Sequence, residues 1–147
     1  MPDLRNWNRF GILLVLVTRV VWAEAADVEA TWLSGDGDGW IEIRRVGDGL
    51  SATLVGSPDD RPGKPARLDA KNPDSMLRQR TLKGLEIFAG FRYAGDDRWT
   101  GGTIYDPNSG RTYRSTVTLV DRDTLQVRGY VGVSLFGQSE YWRRKKR

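Results

Sequence analysis

From Val28 onward, apolar residues recur at every second position, and clusters of Gly, Asp, Pro or Asn break the alternation every eight to twelve residues. Successive side chains of a strand point to opposite faces, so this pattern predicts half-buried antiparallel strands joined as a meander. Eight strands are expected, over residues 28–33, 39–45, 49–55, 85–92, 97–105, 111–119, 124–131 and 138–144. Alternation puts Val28, Ala30 and Trp32 on one face, followed by Ile41 and Ile43, then Leu50, Ala52 and Leu54. Leu85, Ile87, Ala89 and Phe91 continue that face, as do Tyr113, Ser115, Val117 and Leu119, and then Leu125, Val127, Gly129 and Val131. A sheet with one apolar face and this many short strands has to close or fold over, and the fold class expected is all-β, an eight-stranded antiparallel meander barrel. Gly101-Gly102 marks a bulge or bend that helps the closure.

One segment breaks the rhythm. Between residues 56 and 84, Gly, Pro, Asp and Lys dominate until Asn72-Pro73-Asp74. That triplet supplies a capping side chain, a proline for the first helical position and an acid for the first turn, which predicts a short helix over about residues 73–80. The insertion between the third and fourth strands is expected to lie across one opening of the barrel.

The first twenty-five residues stand apart from the core. Arg5 and Arg9 precede an apolar run from Phe10 to Val17, and Ala23-Glu24-Ala25 has the small-x-small form of a signal-peptidase site. The pattern predicts export to the periplasm or beyond, with cleavage near Ala25 and a single barrel domain over residues 26–147. The run is too short to span a bilayer. With 147 residues and 39% hydrophobic content, one core of ordinary size is what the chain can close.

The chain has neither cysteine nor histidine. That removes disulfides, lipid attachment through a thiol, the usual general base and both preferred zinc ligands. No cofactor and no metal is expected. Asp36 and Asp38 in "SGDGDGWIE" alternate with glycines, but an EF-hand register would put Arg45 where the bidentate Glu must stand, so a hairpin turn accounts for them better. Asp96-Asp97 and Asp121-Arg122-Asp123 fall where turns are needed, and Asp106 to Gly110 reads as a register-fixing turn. The residues that would carry catalysis therefore sit in turns, and the chain is read as a non-enzyme.

The formal charge is +4, and the basic tail at residues 143–147, Arg143, Arg144, Lys145, Lys146 and Arg147, contributes more than all of it. Such a tail either meets an anionic membrane surface or is simply a solvated terminus, the second being favoured. No exposed aromatic set interleaves with Lys and Arg on the strands, so no nucleic acid is expected as a partner. Trp142 and Arg144 share a face of the last strand. If first and last strands are neighbours, Arg144 lies over the Trp32 ring and the cation-π contact helps to close the barrel.

A Trp on the first strand and an Arg on the last, in an eight-stranded meander, resemble the lipocalin-like (calycin) barrels, whose usual Gly-x-Trp stands here as Ala30-Thr31-Trp32. The blocks "DGDGWIEI", "DAKNPDSMLRQRTLKGLEIFAGFR", "WTGGTIYDPNSGRTY" and "TLQVRGYVGVSLFGQSEYWRR" are similar to the bacterial exported family known as domain of unknown function 2147. The resemblance implies a periplasmic lipocalin-like barrel and brings no activity, substrate or catalytic residue.

The inward face itself points to function. Ala30, Ala52, Ala89, Ser115 and Gly129 are small mid-strand residues that either leave room for an apolar or amphipathic ligand, such as a lipid, or fit the barrel's taper against Trp32, Phe91, Trp99 and Trp142. For a cavity, the expected wall is Phe91, Trp99, Tyr113, Val117 and Val127. Lys71, Arg78 and Arg80 in the insertion either meet an acidic head group or solvate the short helix, the second being favoured. The alternative to a ligand carrier is a cell-envelope interaction protein acting through its surface and basic tail.

Overall fold

The computed structural model describes residues 28–132 and 137–146, so the proposed signal segment and Arg147 lie outside the described residues. Among the described residues nine strands form, namely β1 (Ala30–Leu33), β2 (Trp40–Val46), β3 (Gly49–Gly56), β4 (Phe88–Ala89), β5 (Arg92–Tyr93), β6 (Arg98–Asp106), β7 (Arg111–Asp121), β8 (Thr124–Tyr130) and β9 (Gln138–Arg144). Their order in the sheet is β3-β2-β1-β9-β8-β7-β6-β4, every pairing is antiparallel, and β5 pairs with β6 beyond β4. The sheet then curls until its two edges meet. Leu54 N donates to Leu85 O at 2.9 Å, Ile87 N to Ala52 O at 2.8 Å and Tyr93 N to Asp48 O at 2.8 Å, and Thr53 bridges Glu86. Counting β4 and β5 as two halves of one position, the barrel has eight.

First and last strands are hydrogen-bonded neighbours, with Trp32 opposite Arg144 and Leu33 opposite Arg143. The Arg144 guanidinium lies 4.5 Å from the centroid of the Trp32 ring, and the buried indole donates to Val28 O. Arg144 also donates to Arg122 O and stands 3.8 Å from Asp123. Losing a cation-π contact and a charge-assisted hydrogen bond together costs more than either. Arg144→Ala is expected to lower stability by about 1 to 2 kcal/mol, read from the denaturant midpoint at unchanged m-value.

The fourth expected strand is corrected. It is not continuous over 85–92 but breaks at Gly90, whose φ of 75° lies in the left-handed region. The face already changes ahead of the break, where Phe88 follows buried Ile87 inward in place of Ala89, and beyond it Phe91 is buried as expected. The large ring wins that position. Phe88 packs 4.8 Å from the Phe91 centroid and stacks 5.8 Å from Trp142, contacts that a methyl group cannot supply. The break faces the bulge in β6, where register shifts between Trp99 and Gly102, so β4 pairs above the bulge and β5 below it. Val131, expected on the inner face, lies past the end of β8 and is exposed.

The short helix over 73–80 does not form. A single 3-10 turn at Ser75–Leu77 takes its place, with Asp74 as its cap accepting from Met76 N, and Asn72 Oδ1 accepting from Asp74 N. The start signals act, but nothing extends them. A short helix needs an apolar face to dock, and Met76 is 88% exposed while Leu77 points largely to solvent.

Candidate functional site

The strand directions put the turn at residues 34–39, the 57–84 loop and the turn at 106–110 at one end of the barrel, with the turns at 47–48, 94–97 and 121–123 at the other. The two ends are filled differently. Towards the second end Trp32, Trp99, Val117 and Leu125 are all fully buried, and Phe88, Phe91 and Trp142 complete a solid aromatic floor. Above that floor opens a cavity of about 760 Å³ whose apolar wall includes Ile41, Leu54, Ile87, Ile104, Val127 and Trp142. The barrel is thus half core and half cup.

Of the five wall residues expected from the sequence, Tyr113 and Val127 line this cavity and Phe91, Trp99 and Val117 do not. Those three are corrected to the floor, where the aromatic rings leave no space. Trp99 touches Tyr93, their ring centroids 5.2 Å apart, and Phe91 lies against the bare backbone of Gly102. Ala52 and Ser115 are floor residues too, whereas Gly129 does line the cavity. Trp142 serves both, capping the floor and facing the cup.

A polar collar surrounds the mouth. Asn108 Nδ2 donates to Asp36 Oδ2 at 2.9 Å and to Asp38 Oδ2 at 3.2 Å, which locks the turn at 106–110 onto the turn at 34–39. Arg67, from the long loop, donates to Asp38 O at 2.9 Å and to its Oδ2 at 3.1 Å. Burial alone would raise the pKa of Asp36, but hydrogen bonds from Ser34, the Asp38 backbone and Asn108 outweigh it and hold the carboxyl below its ordinary value. These acids stitch loops together. Asp96 and Asp97 both occupy the left-handed region in the turn before β6, and Asp121 accepts from Asp123 N at 2.8 Å in the turn after β7.

The long loop is held by a second, buried network. Asp69 is fully buried and accepts from Tyr105 Oη at 2.5 Å, Asn72 Nδ2 at 2.7 Å and Arg80 at 2.8 Å. Burial opposes its ionisation, yet the three donors win and its pKa is lowered. The Tyr105 phenol, desolvated and donating to that carboxylate, is pushed up to about 12. Arg78 donates to Asn72 O at 2.8 Å and Lys71 to Asn108 O at 2.6 Å, so Lys71, Arg78 and Arg80 are all committed within the protein. The sequence reading missed this network. Its signal lay in Asp69 and Asn72 flanking a loop that offers few apolar residues, where polar groups have to supply the anchoring.

The basic tail is likewise mostly part of the barrel. Arg143 donates to Thr124 Oγ1 at 2.7 Å, Arg144 covers Trp32, and Lys145 lies 4.7 Å from the Trp40 ring centroid. Among the described residues, the tail expected to be solvated is corrected to two ordered strand residues, Arg143 and Arg144, one cation-π lysine and an exposed Lys146. No helix among the described residues is long and apolar enough to cross a membrane.

Comparison with known proteins agrees with this architecture. A solved structure, protein HP1028 from Helicobacter pylori, described as belonging to the lipocalin family, superposes with a TM-score of 0.71 at 21% identity, covering 80% of this chain and 82% of that one. At that identity the likeness shows the fold. No curated protein matches the chain. Residues 30–144, which span every strand from β1 to β9, match a family described as an uncharacterized protein conserved in bacteria, and the chain therefore belongs to the domain of unknown function 2147 family, built as a lipocalin-like barrel.

Proposed function

We propose that this protein is a non-enzymatic binder that holds one small apolar or amphipathic molecule in the cup above its aromatic floor. The observation that carries the reading is the cavity itself. At about 760 Å³ it falls within the span of roughly 300 to 1,000 Å³ usual for small-molecule sites, with a mostly apolar wall and a few polar groups at the rim. A filled barrel would have no such volume. Asp36, Asp38, Arg67 and Asn108 at the mouth are engaged in loop-to-loop hydrogen bonds, which favours a rigid rim over a catalytic constellation. The lipocalin-like fold is consistent with this, since eight-stranded barrels are wide enough for one ligand.

The proposal includes export. Arg5, Arg9, the apolar run and Ala23-Glu24-Ala25 support cleavage near Ala25 and work in the periplasm or outside the cell, and N-terminal sequencing of the protein from its own host checks it. The alternative, an envelope protein acting through its basic tail, is weakened by the commitment of Arg143, Arg144 and Lys145 to the barrel.

A neutral naphthylamine dye that fluoresces in apolar surroundings tests the cavity directly. Uptake at about one dye per chain is expected in the native protein, together with loss of uptake in Val127→Trp, whose added ring occupies the cup from β8. Native protein that takes up no dye, and no retained lipid by mass spectrometry, would sink the binder.

A further inference from the structure

Glu140 is a cavity-lining carboxylate that the rim networks leave alone. It stands on β9 two residues before Trp142, opposite Val127 in the register, and both neighbours are buried residues that line the cavity. Directly opposed residues of an antiparallel pair share a face, so Glu140 points inward as well. It is exposed and lines the cavity. The turn at 34–39 presses on it from one side, with a methyl group at Gly35 predicted to come within 2.9 Å of Glu140 Cβ.

Its partners are few. Oε2 accepts from Trp142 Nε1 at 3.2 Å, and among the described residues no Lys or Arg forms an ion pair with it. An ionised carboxylate offers about four acceptor sites, and one indole N–H uses only one of them. The cations at the mouth do not compete for it. Arg67 is held by Asp38, Lys64 donates to Asp59 O at 3.4 Å, and Arg61, Lys64 and Lys83 line the mouth from the exposed long loop, none of them in an ion pair with Glu140. Trp142, Tyr105 and Tyr113 face the same cavity, and aromatic faces attract organic cations.

We propose that Glu140 gives the cup a charge preference, so that the ligand class is an apolar organic cation, an amine or quaternary ammonium carrying hydrocarbon, rather than a fatty-acid anion. The inference rests on the reading of the cavity as a ligand site. Hydrocarbon fills the space between Ile41, Ile87 and Val127, while the cationic group meets the Glu140 carboxylate and the ring of Trp142 or Tyr113. An acid head would instead face a like charge in a partly desolvated space, which disfavours it.

The test uses three probes of one chain length, dodecyltrimethylammonium, dodecanol and dodecanoate, each displacing the neutral dye at neutral pH and below its micelle threshold. In the native protein the ammonium is expected to bind about tenfold more tightly than dodecanoate, a gap that corresponds to a partly shielded ion pair. In Glu140→Gln the gap closes, while dodecanol binds as before. Gln keeps an oxygen for Trp142 Nε1, and near-UV circular dichroism checks the packing. Equal binding of ammonium and dodecanoate in the native protein, or a preference that survives Glu140→Gln, overturns the inference and leaves the binder standing through dodecanol. Failure of dye and dodecanol alike overturns both. The native comparison decides even if the variant does not fold.

Discussion

Asp69→Ala is expected to cost about 3 to 5 kcal/mol, a large share of the stability of a domain this size. The carboxylate is fully buried and satisfies Tyr105, Asn72 and Arg80 at once, so its removal leaves three donors without an acceptor in a place water does not reach freely. Asp69→Asn is expected to help little, because its amide turns two hydrogens towards the donors Asn72 Nδ2 and Arg80. The pH dependence has a defined sign. A carboxyl whose folded pKa is depressed contributes stability that is present above its unfolded value, near 3.8, and is lost as pH falls through the lower folded value. Tyr105 acts at the other end. Its folded pKa is raised from 10.0 to about 12, so its contribution is present below pH 10 and disappears as pH climbs towards 12. Urea unfolding at neutral pH, near pH 3 and near pH 11 should show both flanks in the native protein and a weaker acid flank in Asp69→Asn, the remainder coming from carboxylates such as Asp36. A native curve flat on the acid side would show that Asp69 is not held as an ion.

Much of the fold was legible because one-sided burial writes itself into period-two alternation. Ile41 and Ile43, Leu50 and Ala52, Val117, Leu125 and Val127 all turn inward, and the Trp and Arg at the chain's two ends meet across the closing pair. Alternation gives the face and not the height. Phe91, Trp99 and Val117 have the same inward signature as Val127, yet they lie in the floor while Val127 lies in the cup, and that distinction depends on how the rings of Phe88, Phe91, Trp99 and Trp142 pack in three dimensions. The phase slips between Ile87 and Phe88, both buried, and returns by Phe91 across Gly90, whose positive φ breaks the strand without changing composition. Glu140 was readable and overlooked: it precedes inward-facing Trp142 by two, so the same rule that assigned Arg144 assigned it too.

The second large effect is steric and sits where the sheet bends. Gly101 and Gly102 are adjacent in the β6 bulge, and they are glycines for different reasons. Gly101 has a φ of 75° with open space around it, so Gly101→Ala is strained only in its backbone and should cost about 1 kcal/mol. Gly102 has ordinary φ, but a methyl group there would stand 2.4 Å from Cγ of Phe91, far inside the contact distance of two carbons. Phe91 has little freedom to retreat. Phe88 packs on it at 4.8 Å, and its carbonyl lies so close to Gly49 that a side chain there would fall within 2.6 Å. Gly102→Val should therefore cost about 3 kcal/mol or more, against about 1 for its neighbour, measured as the difference in urea midpoint at constant slope. Because Phe91 carries Phe88, and Phe88 stacks on Trp142, the displacement also reaches the base of the cup. A Gly102→Val protein that stays folded should bind the neutral dye more weakly, whereas Gly101→Ala should bind it as the native chain does. Equal costs for the two substitutions would show that the bulge, and not the ring seated on bare backbone, is what the floor depends on.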